Sequence, residues 1–164
     1  MSTTTLSTLV QIRALAELAP IAPQTGAVKG EILAEQRTTN GQGSGQADRA
    51  YFASRSLSAS ATHTYNVLAA GSLTDLLGQA IDLDEIKGLC VECLAGAIKV
   101  VGGASNALAA FTGAGDGLLL TAGQTFSVEW GGAGLAVGSN GTFEVTETSG
   151  SAGATYKILF IGAN

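Results

Sequence analysis

The clearest pattern in the sequence is an alternation of apolar and small polar side chains between residues 53 and 67. Every second position in this stretch carries serine, threonine or asparagine. The apolar members of the other set are Ala53, Leu57, Ala59, Ala61, Tyr65 and Val67. Because successive side chains of a strand point to opposite faces, the pattern predicts a β-strand with one apolar face and one hydroxyl-lined face.

Seven further strands are predicted in the C-terminal half, where short apolar and β-branched runs are separated by glycine-containing turns. These runs are residues 86–94, 97–101, 117–120, 125–130, 134–137, 142–148 and 155–161. Strands at such close spacing are typical of an antiparallel sandwich or barrel. Residues 73–79 alone fit a helical turn, with Ser72 or Thr74 as its N-cap.

The first forty residues contain two more alternating runs. Residues 6–18 fit either a helix or a strand, and we favour the strand because Val10, Ile12, Ala14, Ala16 and Leu18 alternate with mostly polar neighbours. A second alternation covers residues 28–37. Pro20 and Pro23, the two prolines of the chain, lie between the runs, and proline is rare in central strands. We therefore expect two extended ribbons that form an exposed arm or hairpin.

A polar stretch separates this arm from the rest of the chain. Residues 38–46 contain no apolar side chain and are rich in glycine, serine and glutamine. That composition is typical of a flexible linker or a long loop. The sequence thus predicts an N-terminal arm with its linker, residues 1–47, and a β-sandwich domain, residues 48–164.

Composition favours the all-β class and excludes several kinds of partner. Of the 164 residues only 13% are charged and 5% are aromatic, whereas 23 are glycine, which suits short strands and tight turns better than long solvated helices. The formal net charge is −5 and the basic residues are scattered, so we expect no nucleic-acid partner. The sequence shows neither a basic leader nor an apolar run of about 18 residues, so we expect no signal peptide and no membrane span.

Cys90 and Cys93 form a C-x-x-C spacing, which occurs in redox and zinc sites. Side chains three positions apart on a strand point to opposite faces, so the predicted strand separates the two sulfurs. A zinc site would also need further ligands, and the chain has one histidine and no other cysteine. We predict two reduced structural thiols, and neither a metal nor a cofactor.

His63, the single histidine, is the one candidate for the base of a nucleophilic triad. It shares the parity of Ala61 and Tyr65, which places it on the apolar face of its strand. We favour a half-buried histidine that hydrogen-bonds a neighbouring strand. No general base is then available, and the sequence predicts no catalytic residue.

Acidic residues offer two further candidate sites. A glycosidase-type carboxylate pair would draw on the predicted strand residues Glu129, Glu144 and Glu147, although any sandwich carries such residues on its solvent face. A weak Ca²⁺ site would draw on the densest acidic run, which consists of Asp82, Asp84 and Glu85. We favour a charged exposed turn there, because the remaining oxygen ligands cannot be named.

A glycan-binding module would need exposed aromatic side chains. The candidates are Trp130, Tyr51 and Tyr65. The low aromatic content counts against this function. Trp130 also ends an alternation with Phe126 and Val128, which favours a core position.

Four short motifs occur in order along the body of the chain. They are LTDLLG at residues 73–78, IKGL at 86–89, VGGASNA at 101–107 and YKILFIGA at 156–163. In these motifs the chain resembles small structural proteins of tailed double-stranded DNA bacteriophages, which are similar to the cement or decoration proteins of phage heads. The resemblance covers residues 48–164. It departs from the usual pattern at residues 123–125, where Gly-Gln-Thr replaces a Pro-Gly turn.

The resemblance implies a jelly-roll-like antiparallel β-sandwich that forms a homo-oligomer, a trimer before a dimer. It implies synthesis in the host cytoplasm and a place on the capsid surface of the virion, where the protein binds the lattice of the major capsid protein and its own copies. The function expected is a non-enzymatic one, the stabilisation of the phage head. A tail or fibre position, with or without glycan binding, is the alternative.

Overall fold

A computed structural model describes residues 8–18, 28–69, 72–74, 79–105, 107–108, 110–111, 116–139 and 141–164, and for residues 8–18 and 28–38 it describes the backbone alone. Every regular element within these ranges is a β-strand. In chain order the strands are β1 (Thr8–Leu18), β2 (Val28–Asn40), β3 (Gln46–Ala47), β4 (Arg49–Leu57), β5 (Thr62–Asn66), β6 (Leu73–Thr74), β7 (Ala80–Ile81), β8 (Glu85–Ala95), β9 (Ala97–Gly102), β10 (Gly117–Thr121), β11 (Thr125–Glu129), β12 (Leu135–Ala136), β13 (Thr142–Glu147) and β14 (Ala154–Ala163).

Two antiparallel sheets pack face to face as a β-sandwich, which confirms the predicted fold class. The five-stranded sheet has the order β11-β8-β14-β4, and β12 pairs with the start of β8. The four-stranded sheet has the order β10-β9-β13-β5. All seven strands predicted between residues 86 and 161 are confirmed, and their bounds differ from the prediction by at most two residues.

The core lies between the two sheets and is filled by alternate residues of both. The ring of Phe143 in the four-stranded sheet meets the edge of Phe160 in the five-stranded sheet, with centroids 5.6 Å apart. Tyr65 packs against Phe160 at 6.0 Å. Such aromatic pairs contribute about 0.5–1.5 kcal/mol beyond the burial of their area.

The strand predicted over residues 53–67 is two strands. The chain turns at residues 58–61, where Ser60 has a φ of 58° and the Ala61 N–H donates to the Ser58 carbonyl at 3.1 Å. β4 belongs to the five-stranded sheet and β5 to the four-stranded sheet, so this turn carries the chain across the sandwich. The prediction of one strand was wrong because both strands bury the same set of alternate residues, and their periodicity continues through the turn.

The helical turn predicted for residues 73–79 is also wrong in its described part. Leu73–Thr74 is the strand β6, which pairs with β7. Leu73 and Ile81 are 2% and 3% exposed, so the short hairpin closes one end of the core. Residues 75–78 lie outside the described residues.

The turn between β10 and β11, which includes Gly123 and Gln124, is closed by a side chain. Gly123 has a φ of 83°, a conformation that glycine adopts without steric cost. The Gln124 N–H donates to the Thr121 carbonyl at 2.9 Å, and the Gln124 Oε1 accepts a hydrogen bond from the Thr121 N–H at 2.8 Å. These bonds close the turn without proline.

The N-terminal strands form a hairpin, which confirms the strand interpretation of residues 8–18. β1 and β2 pair antiparallel along the whole of β1, from Thr8 opposite Thr38 to Leu18 opposite Val28. We call β1 and β2 the arm hairpin. In the described part of the chain, the short strand β3 is the one further strand that pairs with it.

Glu147 is buried at the end of β13, with 2% of its surface exposed. Its carboxylate accepts hydrogen bonds from the Ser149 hydroxyl, the Ser60 N–H at 2.7 Å, the Ser149 N–H at 2.6 Å and the Gly150 N–H at 3.1 Å. These bonds, led by the Ser149 hydroxyl and the Ser60 N–H, lower the pKa of Glu147 to about 2. The expectation of a solvent-facing carboxylate was therefore wrong for this residue, which shares the parity of the buried Phe143 and Val145.

Replacement of Glu147 by Gln should remove much of the acid sensitivity of the fold. Since the folded-state pKa is depressed from 4.5 to about 2, this carboxylate stabilises the fold above pH 4.5 and loses that contribution as the pH falls towards 2. We expect the Glu147→Gln variant to have a lower thermal midpoint than the wild type at pH 7 and a similar one near pH 2.

The matched control is Glu144→Gln on the same strand, whose carboxylate accepts a long hydrogen bond from the Ala104 N–H at 3.4 Å. It should keep the wild-type dependence on pH. Parallel curves for the wild type and Glu147→Gln between pH 7 and pH 2 would contradict the assignment.

Candidate functional site

The arm hairpin is amphipathic by register. Its even-numbered positions share one face and its odd-numbered positions share the other. The even face carries no charged residue, and its central pairs are Ile12 opposite Ala34, Ala14 opposite Ile32, Ala16 opposite Gly30 and Leu18 opposite Val28. Every charged residue of β1 and β2 lies on the odd face. The hairpin therefore offers one uncharged face along its length.

The root of the arm, residues 41–47, is a compact loop, which agrees with the second of the two interpretations of residues 38–46, a flexible linker or a long loop. β3 pairs in parallel with the end of β2, and the Gly41 N–H donates to the Ala47 carbonyl at 3.3 Å. The side chain of Gln46 accepts a hydrogen bond from the Gly43 N–H at 2.9 Å. Flexible linkers and tight loops share a polar, glycine-rich composition. The sequence therefore could not reveal the hydrogen bonds that close this loop.

Lys87 braces the arm root against the sandwich. The Gly45 N–H of the root donates to the Gly132 carbonyl at 2.8 Å. Lys87 Nζ donates to the same carbonyl at 3.3 Å and also to the Ala133 carbonyl. Lys87 is 2% exposed, and Glu85 Oε2 lies 2.6 Å from its ammonium group. This ion pair compensates the burial of the charge and holds the loop on which the root rests.

A β-bulge places Lys87 inside the protein. Ile161 of β14 pairs with Gly88 and the next residue, Gly162, pairs with Ile86, so Lys87 has no partner in the ladder. A bulge of this kind redirects a side chain from its expected face. Strand periodicity alone did not identify Lys87, because the extra residue depends on the register between β8 and β14.

His63 belongs to a hydrogen-bonded chain of rings between the two sheets. His63 Nδ1 lies 2.8 Å from the Tyr156 hydroxyl, which lies 2.6 Å from the Tyr65 hydroxyl. Burial raises the pKa of Tyr156 and of Tyr65, and burial together with the Arg55 charge lowers the pKa of His63. The prediction of a half-buried, hydrogen-bonded histidine is confirmed, but its partner lies on the opposite sheet. These groups satisfy one another within the core.

Cys90 and Cys93 lie on opposite faces of β8, as predicted. Cys93 is fully buried in the core, and its sulfur lies 3.6 Å from the Ala95 carbonyl and 3.7 Å from that of Gly96. Cys90 is half-buried on the outer face. Burial raises the pKa of both thiols, which disfavours the reactive thiolate at neutral pH.

The acidic candidates do not assemble into one site. Glu144 lies on the four-stranded sheet and Glu129 on the five-stranded sheet. The Glu147 carboxylate accepts hydrogen bonds from Ser60 and Gly150, which lie in two different turns. Asp82 Oδ1 accepts a hydrogen bond from the Asn164 side chain at 2.5 Å, and Glu85 pairs with Lys87. In the described residues no three His, Cys, Asp or Glu side chains are placed to hold a metal ion.

The aromatic candidates do not form an exposed platform. Tyr51 and Tyr65 are 4% and 5% exposed and belong to the core. Trp130 is half-buried against the same core, as its alternation predicts. Two of the three candidate aromatic residues therefore lie in the core, and the third lies at its margin.

A groove of about 150 Å³ lies beside β5 and β13. It is lined by Asn66, Leu68, Ala69, Ser139, Gly141 and Thr142. Asn66 Oδ1 already accepts hydrogen bonds from the N–H groups of Leu68 and Ala69, at 3.1 and 3.2 Å. Ligand pockets are usually about 300–1,000 Å³, so the groove does not point to a small-molecule ligand.

Within the described ranges, no helix is long and apolar enough to span a bilayer.

Replacement of Lys87 by Met should loosen the arm root. The carbonyls of Gly132 and Ala133 lose a buried donor, which costs about 1–3 kcal/mol in the free energy of unfolding. We expect faster amide hydrogen exchange at Gly45, measured by NMR. The control is Lys157→Met, since the Lys157–Glu92 pair is 3.6 Å long and both side chains are more than 40% exposed, so it should cost under about 0.5 kcal/mol. Equal exchange at Gly45 in both variants would contradict the brace.

Replacement of Cys93 by Ser should destabilise the protein more than the same change at Cys90. A C–O bond is shorter than a C–S bond, so the new hydroxyl at residue 93 stays beyond hydrogen-bond distance of both carbonyls. Burial of such a group costs about 1–3 kcal/mol, measured by chemical unfolding.

Cys90→Ser and His63→Gln should leave the fold and function intact. One equivalent of zinc in the native protein, lost in the double cysteine variant, would contradict two structural thiols.

We compared the chain with known proteins. No family model, curated protein or solved structure matches it. The amphipathic arm hairpin, its braced root and the strand edges of the sandwich are therefore the features from which a function is inferred.

Proposed function

We propose that this chain is a structural protein of a bacteriophage virion, a capsid cement protein that binds the shell of major capsid protein and its own copies. The observation that supports this function most directly is the arm hairpin. It forms a sheet separate from the sandwich, its register gives it one uncharged face, and its root is hydrogen-bonded to the body at Gly45 and Gly132. The motif resemblance to cement proteins supports the same function.

The arm is built to bind other chains. A two-stranded hairpin is at best marginally stable alone in water, and it gains stability when its apolar face and free edge are covered. Because the braced root already fixes where the arm begins, less conformational freedom is lost on binding. Strand pairing would supply directional hydrogen bonds and the uncharged face would supply apolar burial.

The mechanism of stabilisation is thermodynamic linkage. A protein that binds the assembled shell but not its separated subunits shifts the equilibrium towards the shell, by about 2.7 kcal/mol per site at a concentration of 100 times its Kd. Several arms on one oligomer would raise the avidity without a strong single contact. This mechanism needs no catalytic group. It agrees with the hydrogen bonds of His63 to Tyr156 and of Cys93 to the Ala95 carbonyl, which give these two residues structural roles.

The direct test is a cryo-electron microscopy reconstruction of virions from the same source as the chain. We expect this protein on the outer surface of the head, with the arm in contact with neighbouring subunits. Density in the tail alone would replace the cement function by the tail or fibre alternative. Absence of the protein from purified virions, checked by mass spectrometry, would overturn a virion function.

Deletion of residues 1–40 should leave the sandwich folded but weaken its attachment to purified shells. Among the residues whose burial is described, the core cluster runs from Tyr51 to Phe160, beyond β3, and neither sheet of the sandwich includes β1 or β2. We expect a cooperative thermal transition and a loss of shell binding of about tenfold or more, measured by co-sedimentation. An insoluble product, or one without a cooperative transition, would show that the hairpin is an integral part of the sandwich.

The matched point variants are Ile32→Lys on the even face and Leu33→Lys on the odd face of the same strand. The first should reduce shell binding and the second should leave it nearly unchanged. Equal effects would contradict a role for the uncharged face.

A further inference from the structure

β10 is an unprotected edge of the four-stranded sheet. It pairs with β9 on one side, and in the described residues no strand pairs with its other side. Leu118 and Leu119 on this strand are 42% and 60% exposed. An exposed apolar edge strand tends to pair with another chain.

Apart from the two-residue strand β12, the other edge strands of the sandwich carry ionisable side chains, which oppose such pairing. β4 carries Arg49 and Arg55, β5 carries His63, and β11 carries Glu129. β10 has the sequence Gly-Leu-Leu-Leu-Thr and carries none. It is therefore the edge of the sandwich best suited to accept a strand.

The same chain carries a second free strand edge, on β1. β1 is the outer strand of the order β1-β2-β3, and its free edge is unpaired in the described residues. A hairpin of this kind becomes stable when a third strand joins it or a surface covers it. Between two copies of the chain, β1 of one copy can therefore pair with the free edge of β10 of the other, and both edges gain backbone hydrogen bonds.

We propose that β1 of one copy pairs with β10 of a second copy, so that the arm hairpin extends the neighbour's four-stranded sheet. In this pairing each face of the hairpin would continue the face of similar polarity on the neighbour's sheet. Leu118 lies on the core-facing side together with the buried Leu120, and the uncharged face of the hairpin would continue that side. Lys99 and Glu144 lie on the outer side, where the charged face of the hairpin would continue.

The pairing limits the ways in which copies can assemble. It joins two different surfaces of the chain, and such a head-to-tail contact closes into a ring or runs on as a filament. A contact between two β10 strands would instead give a dimer and leave both arms unsupported. The inference rests on the part of the proposed function in which copies bind one another, and it assigns the contacting strands.

The test compares Leu118→Lys with Leu94→Lys in the full-length protein. The two leucines are similarly exposed, 42% and 40%, but Leu94 lies on β8, which has strands on both sides. We expect the wild type and Leu94→Lys to sediment as oligomers in analytical ultracentrifugation, a trimer before a dimer. Leu118→Lys should raise the dissociation constant about tenfold or more while it keeps a cooperative thermal transition.

Hydrogen exchange with mass spectrometry then identifies the strands in contact. On dilution below the concentration of association, exchange should become faster in residues 8–18 and in residues 117–121 together. A change confined to residues 117–121 would overturn the role of the arm in favour of pairing between two β10 strands. A dissociation constant that is the same in Leu118→Lys as in the wild type, or a wild type that is monomeric at every concentration, would overturn the proposal.

Shell binding is measured separately and distinguishes this inference from the proposed function. A monomer that still binds shells would overturn the pairing between copies and leave the cement function in place. An oligomer with the predicted exchange pattern that does not bind shells would support the pairing and contradict the cement function.

Discussion

The contact of Phe143 with Phe160 across the sandwich is the interaction on which the rest of the structure depends. Each sheet has one apolar face, and it can leave water only against the apolar face of the other sheet. The two rings meet edge to face at 5.6 Å in the middle of that layer, and the loss of such a ring typically costs about 3–5 kcal/mol. Strand register is therefore set by which alternate residues reach this layer, since a slip of one position would turn every apolar side chain towards solvent.

Polar groups that lie at the margin of the core are used to close turns. Glu147 connects the turn at residues 58–61 with the turn that follows β13, and Gln124 closes the turn between β10 and β11. The ring chain of His63, Tyr156 and Tyr65 satisfies its own hydrogen bonds between the sheets. His63, Cys93 and Glu147 thus have structural partners, and in the described part of the chain no three His, Cys, Asp or Glu side chains are placed to hold a metal ion.

The arm hairpin belongs to neither sheet of the sandwich, and in the described residues β3 is the one further strand that pairs with it. Its root is nevertheless fixed, because the Gly132 carbonyl accepts hydrogen bonds from both Gly45 and Lys87. Compared with a mobile tether, a root held by hydrogen bonds leaves less conformational freedom to be lost when the arm binds. This arrangement suits a protein whose work is attachment to other subunits, which is the function we propose.

The sequence by itself determined the all-β class, the strands between residues 86 and 161, the opposite faces of Cys90 and Cys93, and the two strands of the arm. These features follow from a period of two, which a stretch of five to ten residues displays on its own. Only the tertiary structure decided that residues 53–67 divide between two sheets, that Glu147 joins two turns, that Lys87 enters the interior at a bulge, and that residues 41–47 close into a braced root. Each of these depends on partners far apart in the chain, such as Ser60 with Glu147 or Gly45 with Gly132, and local periodicity carries no information about which distant strand supplies the partner.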